Sequence, residues 1–265
     1  MRDRYAVIGN PVMHSKSPRI HAEFARATGQ DLEYGRIEAP LDAFERAADE
    51  FRSQGGKGLN VTLPFKEAAF RYCDRASGRA RAAQAVNTLV FGNDVFGDTT
   101  DGVGLVTDLT RNLNVLLSAK QVLLMGAGGA AQGVVQALLD AGVARLAIAN
   151  RTLSRAEALA ARFPGVTSCS YEGLAGHEFD VVVNATSAGL RNNPPVLPAS
   201  VLKRGALAYD MVYGRDTPFL AAARAAGARA CDGLGMLVEQ AAESFLLWRG
   251  VRPETHSVLE RLRAG

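Results

Sequence analysis

Short apolar runs alternate with stretches of helical periodicity along most of the chain, and each change of period marks an element. Tyr5-Ala-Val-Ile8 is a buried-type strand ending in the turn Gly9-Asn10-Pro11, and a helical pattern runs from Ser17 to Gly29. Ser17-Pro18 has the form of a helix start, a capping hydroxyl before a proline whose fixed φ suits the first turn. The spacing predicts strands over 32–37 and 58–61 around an amphipathic helix over 41–54, with helices over 66–72 and 77–84. Val86–Phe91 and Val95–Asp98 bracket Gly92-Asn93-Asp94, a hairpin signal. Strands alternating with helices imply a largely parallel sheet, to which the hairpin adds an antiparallel element.

A helix over 101–113 leads into a second series: strand 121–125, helix 128–141, strand 145–149, helix 153–163, and strands at 166–170, 180–184 and 206–211. Arg191-Asn-Asn-Pro-Pro195 reads as a loop, and the last 30 residues as two helices, 235–248 and 253–262. The expected fold is α/β with two domains, an N-terminal α/β substrate domain with a mostly parallel sheet and a Rossmann nucleotide-binding domain. The expected boundaries are 1–101 plus 237–265 for the first domain and 102–236 for the second.

Composition narrows the function classes. The chain has 265 residues, 48% of them hydrophobic and 22% charged, with a net charge of +3, ordinary values for a globular protein of two domains. No apolar run approaches the roughly 20 residues of a membrane span, and Met1-Arg-Asp-Arg leads into a strand instead of a signal peptide. Cys73, Cys169 and Cys231 lie far apart with no paired spacing, which suits a reducing cytoplasm. Arg71, Arg75, Arg79 and Arg81, with Asp74 among them, read as a solvated helical face and not as a nucleic-acid patch. No H-e-x-x-H or close His/Cys spacing suggests a metal. His21 and His256, in helical contexts, read as ordinary surface residues.

The strongest local signal is Gly126-Ala127-Gly128-Gly129-Ala130-Ala131, a G-x-G-x-x-A turn directly after the strand at 121–125. Its first glycine permits the tight turn, its second leaves room for a pyrophosphate, and Ala131 allows close helix–strand packing. The next strand ends at Asn150-Arg151-Thr152, with Arg155 just beyond, where an NAD site would place Asp or Glu. Guanidiniums there would hold a 2′-phosphate by charge-assisted hydrogen bonds, so the expected cofactor is NADP(H).

With a nucleotide unit in the second half, the catalytic groups are expected in the first. Four polar clusters stand there at strand ends. The loop 9–18 carries Ser15 and Ser17, which either bind a small carboxylate or simply cap the helix. Asn60, Thr62 and Lys66 follow the strand at 58–61, Asn87-Thr88 opens the hairpin, and Asp98-Thr99-Thr100-Asp101-Gly102 closes it. Such groups suit a polyhydroxylated, anionic small molecule. Only five lysines occur, at 16, 57, 66, 120 and 203, and lysine, unlike arginine, can exchange its proton near neutral pH.

On these motifs the chain resembles the shikimate/quinate dehydrogenase family, whose NADP-dependent members reduce 3-dehydroshikimate to shikimate in aromatic amino-acid biosynthesis. The matching segments are Gly9-Asn-Pro, Ser15-Lys-Ser-Pro18, Asn60-Val-Thr-Leu-Pro-Phe-Lys66, Ala85-Val-Asn-Thr88, Thr100-Asp101-Gly102, Gly126-Ala-Gly-Gly-Ala130, Asn150-Arg-Thr152, Asn184-Ala-Thr-Ser187, Asp210-Met-Val-Tyr213 and Asp232-Gly-Leu-Gly-Met236 with Glu239-Gln240. Thr99 departs from the family's usual Asn. The resemblance implies Lys66 and Asp101 as the catalytic pair, and Ser15, Ser17, Asn60, Thr62, Asn87, Tyr213 and Gln240 as substrate-binding residues. It implies Gly126, Ala127, Gly128, Gly129, Ala130, Asn150, Arg151, Thr152, Arg155, Thr186, Met211, Gly233 and Met236 around NADP(H), and no metal. It also sends the C-terminal helices back to the first domain. The implied partner is the small-molecule substrate alone, with no nucleic acid or membrane, in a monomer or homodimer. A quinate-using enzyme, or a silent NADPH-binding sensor, is the alternative; the first would favour a bulkier residue than Ser17 and an acidic residue at the ribose, and the second is disfavoured by intact Lys66 and Asp101.

Overall fold

The structure, a computed structural model, describes residues 2–186 and 199–264. Ser187 and the loop 191–195 lie outside the described residues. The chain divides into two compact units, Met1–Gly104 with Leu237–Gly265, and Leu105–Met236.

In the first unit, a six-stranded sheet has the order β2-β1-β3-β5-β6-β4, with β1 Asp3–Gly9, β2 Leu32–Glu38, β3 Gly56–Val61, β4 Arg75–Ala76, β5 Thr88–Phe91 and β6 Val95–Asp98. β1 pairs in parallel with β2 and β3, while β3–β5 and β5–β6 are antiparallel. This reversal matters for the site. It sets the start of β5 beside the end of β3 and the end of β6, with Asn60 opposite Thr88 and Thr88 opposite Asp98. Ile8, Leu59, Val61, Leu89, Phe44 and Phe65 form the core against α2 (Phe44–Ser53) and α3 (Lys66–Tyr72). α1 (Ser17–Thr28) ends at Gly29, whose φ of 65° lets Gln30 N–H return to Ala25 O, the usual glycine-stopped helix end.

The basic stretch 71–81 is not one helix. α3 stops at Tyr72, Cys73 is extended, and Asp74 is tied to Val95 in both directions, its carboxylate accepting Val95 N–H at 2.7 Å. That pulls Arg75–Ala76 into the sheet before Ser77 caps α4 (Gly78–Ala83) by accepting Ala80 N–H. Two other expectations change. Lys16, not Ser17, is the N-cap of α1. His21 is fully buried beneath Tyr34, Phe24, Phe245 and Trp248, stacked on Tyr34 at 4.2 Å. Burial lowers its pKa to about 3, against a smaller upward effect of the Asn60 side chain, so the ring is neutral.

The second unit holds a fully parallel sheet of order β12-β11-β10-β7-β8-β9, with β7 Gln121–Met125, β8 Arg145–Ala149, β9 Thr167–Cys169, β10 Phe179–Asn184, β11 Leu202–Asp210 and β12 Arg229–Asp232. Counted from β7 this is the 3-2-1-4-5-6 order of dinucleotide-binding folds, in which ligands bind where the order reverses, at the carboxyl ends of β7 and β10. The helix expected over 128–141 is broken into α6 (Gly129–Gln132) and α7 (Val135–Asp140), because the turn tightens at Gly133, with Val134 N–H bonding Ala131 O. α8 covers Leu153–Ala160. α9 (Pro218–Ala225) and β12 are additional to the sequence reading, although Thr217-Pro218 carries a start signal: Thr217 accepts Leu220 N–H. α5 (Asp101–Thr107) passes into a π-helical turn, Asp108–Asn112, and the C-terminal helices are α10 (Leu234–Arg249) and α11 (His256–Ala264). No helix among the described residues is long and apolar enough to cross a membrane.

Candidate active site

The first unit joins the polar residues after β3 and around β5 and β6 into one hydrogen-bonded group. Lys66 opens α3 and Asp101 opens α5, and the Lys66 ammonium donates to Asp101 Oδ2 in an ion pair whose side chains are 14% and 6% exposed. Asp101 Oδ1 accepts Asn87 Nδ2 at 2.9 Å, so each carboxylate oxygen has its own donor. The Asn87 amide is oriented by the backbone: Thr100 N–H donates to Asn87 Oδ1 at 2.8 Å, which turns Nδ2 toward Asp101. Gln240, on α10, places Oε1 3.2 Å from Asn87 Nδ2. An ammonium has three protons; with one on Asp101, Lys66 keeps donors for a substrate oxygen.

Behind this pair, Asn60 accepts Tyr34 O–H at 2.7 Å and donates to Ser244 Oγ at 2.9 Å. Arg79 grips Asp98 with two bonds of 2.8 and 2.7 Å and also reaches Glu243, anchoring the end of β6 to α10. At the loop after β1, the buried Ser15 and Ser17 hydroxyls lie 3.2 Å apart, and Ser15 Oγ accepts Ser17 N–H. The Arg36 guanidinium donates to Ser15 O, stiffening the loop and bringing a positive charge to it. Thr62 is half-buried just past β3, and Thr62 N–H bonds Ile8 O, which ties the β1 and β3 ends together.

In the second unit the glycine loop follows β7. Gly126 has φ +105°, and a Cβ there would lie 3.2 Å from Thr186 Cγ2 and 3.3 Å from the Ala185 backbone, so the turn requires glycine. Over Gly128 the situation is opposite: a Cβ would meet nothing within 4 Å, and the backbone faces open space that a phosphate could occupy. Ala131 is buried. Asn150 donates to Thr152 O at 2.9 Å, Arg151, Thr152 and Arg155 are exposed, and the Thr152 side chain does not cap α8. Asn184 Oδ1 accepts both Thr186 N–H and Thr186 O–H. Gly233 packs so tightly on the Met211 backbone that a Cβ would overlap it, and Met236 N–H reaches the Tyr209 hydroxyl, which donates to Asp108 at 2.6 Å.

Three family models match this chain in order: "Shikimate dehydrogenase substrate binding domain" over residues 7–89, "Shikimate / quinate 5-dehydrogenase" over 108–203 and "Shikimate 5'-dehydrogenase C-terminal domain" over 233–263. A shikimate dehydrogenase (NADP(+)) of Aromatoleum aromaticum is 60% identical, over 98% of this chain and 97% of the relative. The chain belongs to the shikimate dehydrogenase family. Among solved structures, an Ael1 enzyme from Pseudomonas putida is 51% identical with a TM-score of 0.91, covering 98% of each chain. The Thermus thermophilus shikimate 5-dehydrogenase, in complex with NADP(H) and shikimate, is 37% identical with a TM-score of 0.88, covering 99% of each chain.

Set against the family pattern, Lys66, Asp101, Asn87, Asn60 and Gln240 form one connected cluster, while Ser15 and Ser17 form a separate pair on the neighbouring loop. Tyr213, half-buried after β11, belongs to the other unit. Ser244 escaped the sequence reading, yet it bonds Asn60 directly. The available signal was its spacing, four residues after Gln240 on one helix and hence on the same face.

Proposed function

We propose that this shikimate dehydrogenase family member catalyses the reversible, NADPH-dependent reduction of 3-dehydroshikimate to shikimate in aromatic amino-acid biosynthesis. The observation that carries this reading is the Lys66–Asp101 pair, with a buried Asp101 carboxylate oriented by Asn87 within a network of hydroxyls and amides. The A. aromaticum relative is named for this activity and cofactor, and the T. thermophilus relative holds both molecules.

NADPH supplies the hydride that goes to the substrate's ketone carbon. As negative charge builds on the carbonyl oxygen, Lys66 stabilises it and delivers the proton. Asp101 holds the ammonium in place, and Asn87 holds Asp101. Ser15 and Ser17 bind the carboxylate, and Asn60, Thr62, Asn87, Gln240 and Tyr213 take the hydroxyls. The glycine loop 126–130 cradles the pyrophosphate; the open backbone over Gly128 fits it. Arg151 and Arg155, with Asn150 and Thr152, receive the 2′-phosphate; Thr186, Met211, Gly233 and Met236 line the nicotinamide end. The protein works in the cytoplasm, as a monomer or homodimer, with no nucleic-acid partner.

Rates of NADP⁺ and NAD⁺ reduction with shikimate and with quinate test this reading. Shikimate with NADP⁺ should be turned over well ahead of the other three pairs. Preferred use of quinate, or of NAD⁺, would overturn it, as would no turnover of any pair.

A further inference from the structure

The Ser15 and Ser17 hydroxyls are buried and neutral: Ser15 O–H donates to Ser17 Oγ at 3.2 Å, and Ser15 Oγ accepts Ser17 N–H at the same distance. A hydroxyl can donate to a carboxylate, an ester or an amide oxygen, so the pair alone does not select strictly for an anion. Charge reaches this loop from β2. Residues 34, 36 and 38 share one face of that strand. Tyr34 O–H goes to Asn60 Oδ1 at 2.7 Å, the Arg36 guanidinium to Ser15 O, and the Glu38 carboxylate accepts Val12 N–H at 3.3 Å. Arg36 gives its carbonyl two bonds, from Nε at 3.2 Å and from Nη2 at 2.6 Å. The carbonyl and hydroxyl of Ser15 belong to one residue, so covalent geometry puts the guanidinium within about 8 Å of Ser15 Oγ, whichever way the serine side chain turns. Glu38 opposes it from the other end of the turn, at Val12, three positions before Ser15, where Ser15 N–H closes on Val12 O at 2.9 Å.

We propose that Arg36 is a specificity-determining residue: its positive charge, held against the serine loop through Ser15 O, makes the Ser15–Ser17 pair prefer a negatively charged substrate group to a neutral one of similar shape. This rests on the function proposed above, which seats the substrate carboxylate at these serines. Arg36 acts on that carboxylate through space and need not touch it. Its side chain is exposed, so salt partly screens the effect. At such a separation near a protein surface, one charge changes the binding of another roughly 3- to 10-fold.

Oxidation of shikimate and of its methyl ester by NADP⁺ tests this in wild type, Arg36→Met, Arg36→Lys and Lys16→Met, the last because Lys16 stands between the two serines. KM is read for each, or a competitive Ki for the ester if it is not oxidised. Arg36→Met should raise KM for shikimate roughly 3- to 10-fold, leave the ester within about two-fold, and flatten the rise of shikimate KM with salt. Arg36→Lys keeps the charge on a differently shaped head group and should keep most of the preference. Lys16→Met should keep it too. Equal losses for acid and ester in Arg36→Met would make Arg36 only a brace of the loop, and no loss for either would show that its charge is not felt. Both results overturn the proposal while the dehydrogenase reading stands, as does a preference lost in Lys16→Met but not in Arg36→Met. A wild-type protein that does not oxidise shikimate overturns that reading first, and this proposal with it.

Discussion

Gly235→Ala sets two effects of opposite sign against each other. Gly235 is the second residue of α10, and helix propensity alone favours alanine there by up to about 1 kcal/mol. A Cβ at Gly235, however, would overlap the Asp108 carboxylate. That carboxylate is buried, accepts the Tyr209 hydroxyl at 2.6 Å and Asn112 Nδ2 at 2.9 Å, and cannot swing away without losing both. Hydrogen bonds to a charged group contribute about 1.5–3 kcal/mol each, so the steric effect exceeds the propensity gain and leaves a net loss of about 2–5 kcal/mol. For a chain of this size that is a fall in Tm of roughly 5–15 °C. Thermal unfolding followed by circular dichroism reads it. Removing the obstacle should cancel the effect: Gly235→Ala should cost nothing further in an Asp108→Ala background. A Gly235→Ala protein as stable as the wild type, or more so, would refute this packing account.

Arg151→Ala should weaken NADPH binding roughly 10- to 100-fold, the loss of one charge-assisted contact, and leave NADH binding unchanged; equal losses in fluorescence titrations would make Arg151 structural. Ser15→Ala and Ser17→Ala should act mainly on KM for shikimate, because a carboxylate is bound alike in ground and transition states. Steady-state kinetics of the double variant with unchanged KM would assign the loop to local structure instead. The buried Thr99 hydroxyl finds no partner among the described residues. Thr99→Val keeps the shape and removes the unpaired group, so it should stabilise by about 1 kcal/mol in denaturant unfolding, and a loss of stability would show the hydroxyl to be bonded.

Much of the fold and site is legible in the sequence because its causes are local. The turn at Gly126 needs a positive φ and directly follows β7, and β8 ends at Asn150-Arg151 within 25 residues of it, so pattern and spacing suffice for these elements. What stayed hidden depends on partners distant in the chain. His21 looks like a surface position on its own helix, and Tyr34 of β2 with Phe245 and Trp248 of α10, all distant in the chain, help to bury it. The stretch 71–81 has helical spacing, but the Asp74–Val95 bonds turn its centre into a strand. Ser17 fits a cap by type, whereas the helix takes Lys16 as its boundary and Ser15 accepts the Ser17 N–H. Ser244 meets Asn60 across 184 positions, and no periodicity reports that meeting.

The central claim is that Lys66 transfers a proton and is not only a positive charge beside the substrate. Lys66→Arg separates the two, since arginine retains the charge but cannot readily release a proton and aims its donors differently. Single-turnover reduction of 3-dehydroshikimate by NADPH, in wild type, Lys66→Ala and Lys66→Arg, reads the chemical step directly. Lys66→Ala should lose roughly 10²–10⁴-fold in that rate while still binding NADPH, and Lys66→Arg should be nearly as slow. A Lys66→Arg rate close to the wild type would contradict the account and reduce Lys66 to an electrostatic anchor.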